Sequence, residues 1–545
     1  MRPSAIFAVN GQTPQWCEKH LLLLPLRKSG ILSINPGLQL LVLATMVRAV
    51  RNVRIFSGAN SARGGAAARS KAASRTGLAG RPASARWWWI IPLLHAASYA
   101  FWARPVTAFD GWIAGTFLLI SAASSYALFA DPRPYSINRM YWLFHLVFFA
   151  LVPSYQVAVK TFPWGSEDIT IPAVLRANLV ILAGMAAYHL GRFATDAATI
   201  ASPLRVTGRV DGAYRHAHRW WGAGIFLFIA IAYVGLAGLR NIWLKGELDY
   251  ILYERVSNAM YLTVEKLVRG PVLYFALATI FLARLRNIKL PFLAWALAVF
   301  FVVNFPLALP RSLMAACYVG VLLSFGGGLW QRRPQLFSLA LVVLLIGVYP
   351  LAGITRWDAT RAGRKMEKPV TWLRESYTGG DFDAHTMLCR TVERVRTKGT
   401  TGGRQLLTAL AFPVPRSYWP AKSIGSGALV HGELKKEWTN VSCPLPAEGY
   451  INFGLLGTLL FSALFAAGVH RYDAYYWRWR TQRAHLGDFS FPLLFYPAVL
   501  MLAFFLLRGD LLSSLATGLG LYAAGYFFHA LLRLHLLRGQ WWKKK

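Results

Sequence analysis

The chain has 545 residues, of which 55% are hydrophobic and 15% charged, with a mean hydropathy of +0.39. Lys and Arg outnumber Asp and Glu by 59 to 23, for a net charge of +36. So little charge over this length excludes an array of soluble domains, and the excess of cations is then read by membrane side, not as a nucleic-acid footprint.

In chain order, residues 1–86 read as a poorly ordered basic region. The run from Arg48 to Arg86 holds nine Lys or Arg and no acid amid Ala, Gly and Ser, a composition that cannot build a core. Residues 31–43 are apolar but broken by Asn35-Pro36-Gly37, too short for a span. Met46 offers an alternative start, which would leave residues 1–45 outside the working protein.

From residue 87 the pattern becomes regular. Apolar stretches near the ~20 residues a bilayer requires fall at about 88–103, 112–130, 140–158, 174–190, 220–239, 271–285, 290–308, 311–328, 335–353, 450–469, 490–507 and 511–533. The expectation is an all-α, polytopic integral membrane protein of about 12 transmembrane helices over residues 87–537, ending in a basic tail at 538–545. Very tight turns are expected around Leu309 and Gly509.

Placing the basic N-terminal region inside makes every inside loop net basic, including "DPRPYSINR", "ARLRNIK" and "HRYDAYYWRWRTQRAHLGD". The early outside loops, "RPVTAFDG" and "KTFPWGSEDITIP", are short and close to neutral. Both termini are therefore expected in the cytoplasm. Two outside loops are too long to be connectors, one smaller at 240–269 and one large at 354–448.

The large loop contains "FPVPRSYWPAKSIGSG" at 412–427, which has three prolines, two cations, three aromatics and no acid. Pro413, Pro415 and Pro420 are expected to hold it as a stiff extended strap. Its Arg416 offers a bidentate fork for phosphate, Lys422 a point charge, and Tyr418 and Trp419 flat faces for stacking on sugar rings. Gly425 and Gly427 would let the backbone approach a ligand. Arg311, in "NFPLALPRSL", and Arg508, in "LLRGDLL", fall where helices meet the outer interface; each serves equally as a lipid-phosphate anchor.

Acids and histidines expected on the outer side are Asp249, Glu254, Asp358, Asp381, Asp383, His385, Glu433, Glu448 and Asp510. Of these, His385, Glu448 and Asp510 are candidates for a general base, in no fixed order. Asp381-Phe382-Asp383 has the one spacing suited to a divalent ion and reads instead as the N-terminal cap of a loop helix running through Val395. No Walker loop, HExxH, CxxC pair or GxSxG is present. Of the four cysteines, only Cys389 and Cys443 could share an aqueous loop.

Together, "FPVPRSYWPAKSIGSG" followed by "NVSCPLPAEGYINFGLLGTLL", "NFPLALPRS" at 304–312 and "FLLRGDLLSS" at 505–514 resemble the Wzy-type O-antigen polymerases of bacteria. Arg416 and Gly427 match that family's loop pattern of an arginine, ten residues and a glycine, while the loop at 240–269 carries no second copy. The resemblance covers residues 87–537. It implies a GT-C-like, metal-independent, inverting glycosyltransferase with no cofactor, in the bacterial inner membrane. Such an enzyme joins oligosaccharide repeat units carried on undecaprenyl pyrophosphate at the periplasmic face. Its partners would be that lipid-linked substrate, membrane lipids and a chain-length regulator, with no nucleic acid. In such a site Arg311, Arg416, Lys422 and Arg508 would hold the pyrophosphate, and Tyr418 and Trp419 the sugar. The rival readings are an O-antigen ligase or related lipid-linked transferase, and a flippase for lipid-linked sugar.

Overall fold

The computed structural model describes residues 88–102, 108–201, 208–239, 241–243, 258–326, 333–351, 374–432 and 441–542. The expectations for residues 1–86, and for Asp249, Glu254, Asp358 and Glu433, lie outside these.

Among the described residues, fifteen helices organise the fold: α1 (Ile90–Trp102), α2 (Ala108–Ala130), α3 (Ile137–Ala158), α4 (Ile171–Ala201), α5 (Gly212–Ala237), α6 (Asn258–Arg284), α7 (Leu290–Val303), α8 (Arg311–Ser324), α9 (Pro334–Gly347), α10 (Ala384–Lys398), α11 (Arg404–Leu410), α12 (Ser426–Gly432), α13 (Leu445–Gln482), α14 (Phe491–Arg508) and α15 (Leu511–Trp542). Among the described residues, nine spans are long and apolar enough to cross a membrane: α2–α6, α7 continued through a short helical turn to Ala308, and α13–α15. Shorter apolar helices α1, α8 and α9 occupy the other three expected positions. Large apolar side chains face outward along the bundle, with Phe101, Trp112, Phe193, Trp220, Phe228 and Leu464 each more than two-thirds exposed. A water-soluble surface would not sustain that, whereas lipid does. The protein is a helical, multi-pass membrane protein.

Without a hydrophobic drive between helices in lipid, close packing depends on small residues. A Cβ on Gly191 of α4 would lie 2.4 Å from the Ala463 carbonyl of α13, and one on Gly270 of α6 would lie 2.6 Å from the Leu521 carbonyl of α15. These glycines let two long helix pairs meet backbone to backbone.

Connections collect at two ends. At one, β1 (Gly208–Arg209) pairs antiparallel with β2 (Asp488–Phe489), and Asp473 of α13 accepts from the Ile137 and Asn138 amides at 3.0 and 3.1 Å, capping α3. Asp131, in the loop before α3, is buried, which raises its pKa. The nearby Arg133 and Arg139 and bonds from Ser136 and Asn138 outweigh that and bring it to about 2. The opposite end holds residues 159–170, the α7–α8 turn, residues 374–432 and the α14–α15 turn. These are called below the hairpin end and the strap end. Several of the loops that Lys and Arg asymmetry assigned to one side thus meet in the fold.

Some boundaries differ from expectation. Helix α6 begins at Asn258, so the last two-fifths of the expected loop at 240–269 is helical. Its charges are satisfied within the bundle: Arg269 pairs with Glu265 at 3.3 Å and donates to the Val303 carbonyl at 2.8 Å. Helix α15 runs to Trp542, into the expected tail. Helix α13 is two pieces, because Phe453 and Gly454 leave helical geometry and Gly454 takes φ +64. The first piece doubles back on the second, so Thr458 Oγ1 donates to the Pro446 carbonyl at 2.9 Å.

Candidate active site at the strap end

The stretch at 411–422 is a succession of reverse turns, not the extended strap its prolines suggested. The Val414, Tyr418 and Lys422 amides donate three residues back, to Ala411, Pro415 and Trp419. The cause is a hub within the loop itself. Buried Lys422 spends all three ammonium protons on the carbonyls of Ala411 (2.8 Å), Phe412 (3.1 Å) and Val414 (2.9 Å). Arg416 folds back onto the carbonyls of Lys422 and Ser423. Both cations therefore shape the loop that carries them. Arg416 stays on its exposed rim beside Tyr418, which is 84% exposed, while Trp419 is half-buried.

Below the loop, two carboxylates converge. Glu448, on the doubled-back piece of α13, is 1% exposed; it accepts from Ser426 Oγ at 2.7 Å and from the Leu511 amide at 2.8 Å. Asp510 caps α15, accepting from the Ser513 amide at 3.1 Å and from the Gly427 amide at 3.2 Å. The two glycines approach protein here, not ligand. A Cβ on Gly425 would lie 2.4 Å from Asp510 Oδ2, and one on Gly427 would lie 2.5 Å from the Val441 carbonyl. Burial pushes the Cys443 thiol well above its usual range, and the Glu448 and Asp510 carboxylates beside it push the same way.

Two arginines lie at the same end of the fold. Arg311, the first residue of α8, pairs with Asp381 and lies over the Tyr349 ring at 5.1 Å. Arg508, the last residue of α14 and two before Asp510, reaches the Gly380 carbonyl at 2.9 Å and Asp383 Oδ1 at 3.4 Å. Asp383 accepts in addition from the Ser442 amide (3.1 Å) and from Trp164 Nε1 (2.9 Å). The Asp381-Phe382-Asp383 segment therefore serves as a counter-charge clamp. Helix α10 does follow it, but no side chain caps that helix, because the Asp383 carboxylate is turned across to Arg508. Arg508 Nε and Ser442 Oγ are both buried without a hydrogen-bond partner. Polar atoms left so in a native fold call for a reason, and a ligand is one.

His385 is not brought to the carboxylates. It is fully buried, its Nε2 2.8 Å from Asn178 Oδ1 and its ring 5.4 Å from that of Phe117, and burial drives its pKa to about 3. Cys389 and Cys443 are buried free thiols. Sequence reasoning passed over Ser426, Ser442 and Trp164. The loop at 159–170 looked like a connector, yet Arg390 of α10 grips it, at 2.9 Å from both Asp168 Oδ1 and the Gly165 carbonyl. Its signal was Glu167-Asp168, rare acids facing a basic outer loop.

No family model matches the chain, and neither does any curated protein or solved structure.

Proposed function

We propose that this protein is a membrane-embedded glycosyltransferase that polymerises oligosaccharide repeat units carried on a polyprenyl pyrophosphate. The strap end would face the periplasm of a bacterial inner membrane, with the termini in the cytoplasm. The observation that carries the reading is the buried carboxylate pair, Glu448 and Asp510, at the same end of the fold as two helix-end arginines, Arg311 and Arg508.

The reaction needs a base and a fixed positive field. A sugar hydroxyl of the acceptor attacks the anomeric carbon of the donor, and a single displacement inverts that centre. The new C–O bond forms as the bond to the pyrophosphate oxygen breaks, and the hydroxyl proton passes to a carboxylate. Glu448 is the base we assign, since Ser426 and the Leu511 amide fix its orientation. Charge growing on the departing pyrophosphate falls to Arg508 and Arg311. Asp381, 37% exposed by side chain, would yield Arg311 to the phosphate as donor binds. Residues 425–427 cover both carboxylates, so the acceptor reaches them when the strap lifts. Arg416 then joins the phosphate by releasing its two carbonyls, while Lys422 keeps the loop folded. Asp383 stays committed to Arg508, Trp164 and the Ser442 amide, which favours chemistry without a divalent ion at that spot.

The test is the lipid-linked glycan of a strain lacking the protein. Single repeat units on their carrier at the outer leaflet support polymerisation. Carrier-linked repeats held at the cytoplasmic leaflet indicate a flippase, and full-length free polymer on its carrier indicates a ligase.

A further inference from the structure

The hairpin end carries a second pair of arginines, and this pair lacks the carboxylate partners that Arg311 and Arg508 have at the strap end. Arg284 is the last residue of α6, and Arg480 lies in the last turn of α13. Both guanidiniums crowd Gly326, which has φ +73. A Cβ there would lie 2.2 Å from Arg284 Nη1 and 2.6 Å from Arg480 Nη2. Arg284 Nη1 donates to the Ser324 carbonyl at 3.1 Å, whereas Arg480 Nη2 is buried without a hydrogen-bond partner. Among the described residues no carboxylate pairs with either arginine. The nearby Asp488 is turned to Arg483 and Arg209, at 3.5 and 3.9 Å.

The pair borders a cavity of about 360 Å³ whose remaining walls include Arg286, His485, Phe281 and Leu285. Two adjoining guanidiniums repel one another, and a shared anion relieves that repulsion while matching both forks. The apolar wall continues from membrane-crossing helix α6, so the cavity opens where a bilayer headgroup would sit. Basic pockets between spanning helices at such a boundary suit anionic lipid headgroups.

We infer that Arg284 and Arg480 form a binding site for a phosphate group, presented by an anionic phospholipid. This site lies at the other end of α13 from Glu448 and does not depend on the reading of the strap end.

The experiment uses the full chain purified in a neutral detergent and follows its thermal midpoint against added phosphatidylglycerol, phosphatidylcholine or inorganic phosphate. A ligand that binds only the folded state raises the midpoint with concentration. Phosphatidylglycerol should raise it and phosphatidylcholine should not. A shift from phosphatidylglycerol alone identifies the lipid as the source; an equal shift from inorganic phosphate contradicts the lipid source. In Arg284→Lys/Arg480→Lys, which keeps both charges and so the fold, at least tenfold more phosphatidylglycerol should be needed for the same shift. Arg209→Gln, at the same end but exposed, should behave as the parent. The inference is overturned if the double variant responds like the parent, or if phosphatidylcholine is as effective.

Discussion

Ser426 donates to Glu448 across 2.7 Å, stitching the loop at 411–432 to the doubled-back entry of α13. Through that bond a carboxylate with almost no exposure is held in a fixed orientation, which a general base requires. Glu448→Gln preserves the shape and both neighbours but cannot take a proton. It should leave the protein in the membrane and lower polymer formation by about 10²-fold or more. Ser426→Ala should cost less, about tenfold, since the Leu511 amide still orients the carboxylate. Glycan yield at matched protein level measures both.

Arg508 and Arg390 make opposite predictions, although both are arginines bonded to aspartate. Arg508→Lys keeps the charge but loses the fork and should reduce polymerisation by about 10²–10³-fold with little change in protein level. Arg390 is buried and holds Asp168 and the 163–165 carbonyls. Its loss leaves the half-buried Asp168 and the loop carbonyls without their donor, at about 1–3 kcal/mol. Arg390→Ala should therefore appear as reduced folded protein, read by detergent-solubilised size-exclusion profile.

Lys422 tests whether the strap is a folded unit. Lys422→Met fills similar space but abandons three carbonyls, each an acceptor expensive to bury unpaired. Faster cleavage at 411–422 by a soluble protease is the expected result. Arg416→Ala, at the exposed rim, should leave that cleavage rate within a few-fold of the parent and instead shorten the glycan chains.

Much of this architecture is legible in the sequence, for a local reason. A span is set by the apolarity of consecutive residues, so it can be read without knowledge of neighbours. What was illegible depends on partners far along the chain. Glu265, Lys266 and Arg269 look aqueous until Val303 and Tyr233 are known to receive Arg269. The prolines at 413 and 415 suggest extension until Lys422 ties their loop into turns. Arg311 and Arg508 read as lipid anchors because Asp381 and Asp383 lie 70 and 125 residues away. The base candidates separated only when folding sent His385 into the packing beside Asn178 and gathered Glu448 with Asp510.

His385 gives a prediction in pH. Its folded pKa of about 3 lies below the ordinary 6.5, so the unfolded chain binds a proton first as pH falls. Its contribution to stability is complete above about pH 6.5 and is lost progressively from there down to about pH 3. Between pH 7.5 and 5.5 that amounts to about 1.4 kcal/mol. His385→Gln, which can still donate to Asn178, should lose less by about that amount over the same interval. Thermal midpoints at the two pH values make the comparison.

The most direct measurement reconstitutes the purified protein in bilayers with a single repeat unit on undecaprenyl pyrophosphate, in EDTA, and resolves the products by glycan length. The parent should yield a ladder rising in single-repeat steps with release of the pyrophosphate carrier, and Glu448→Gln should leave the single repeat unchanged. Intact donor with the parent protein, or an equal ladder from Glu448→Gln, would contradict the account.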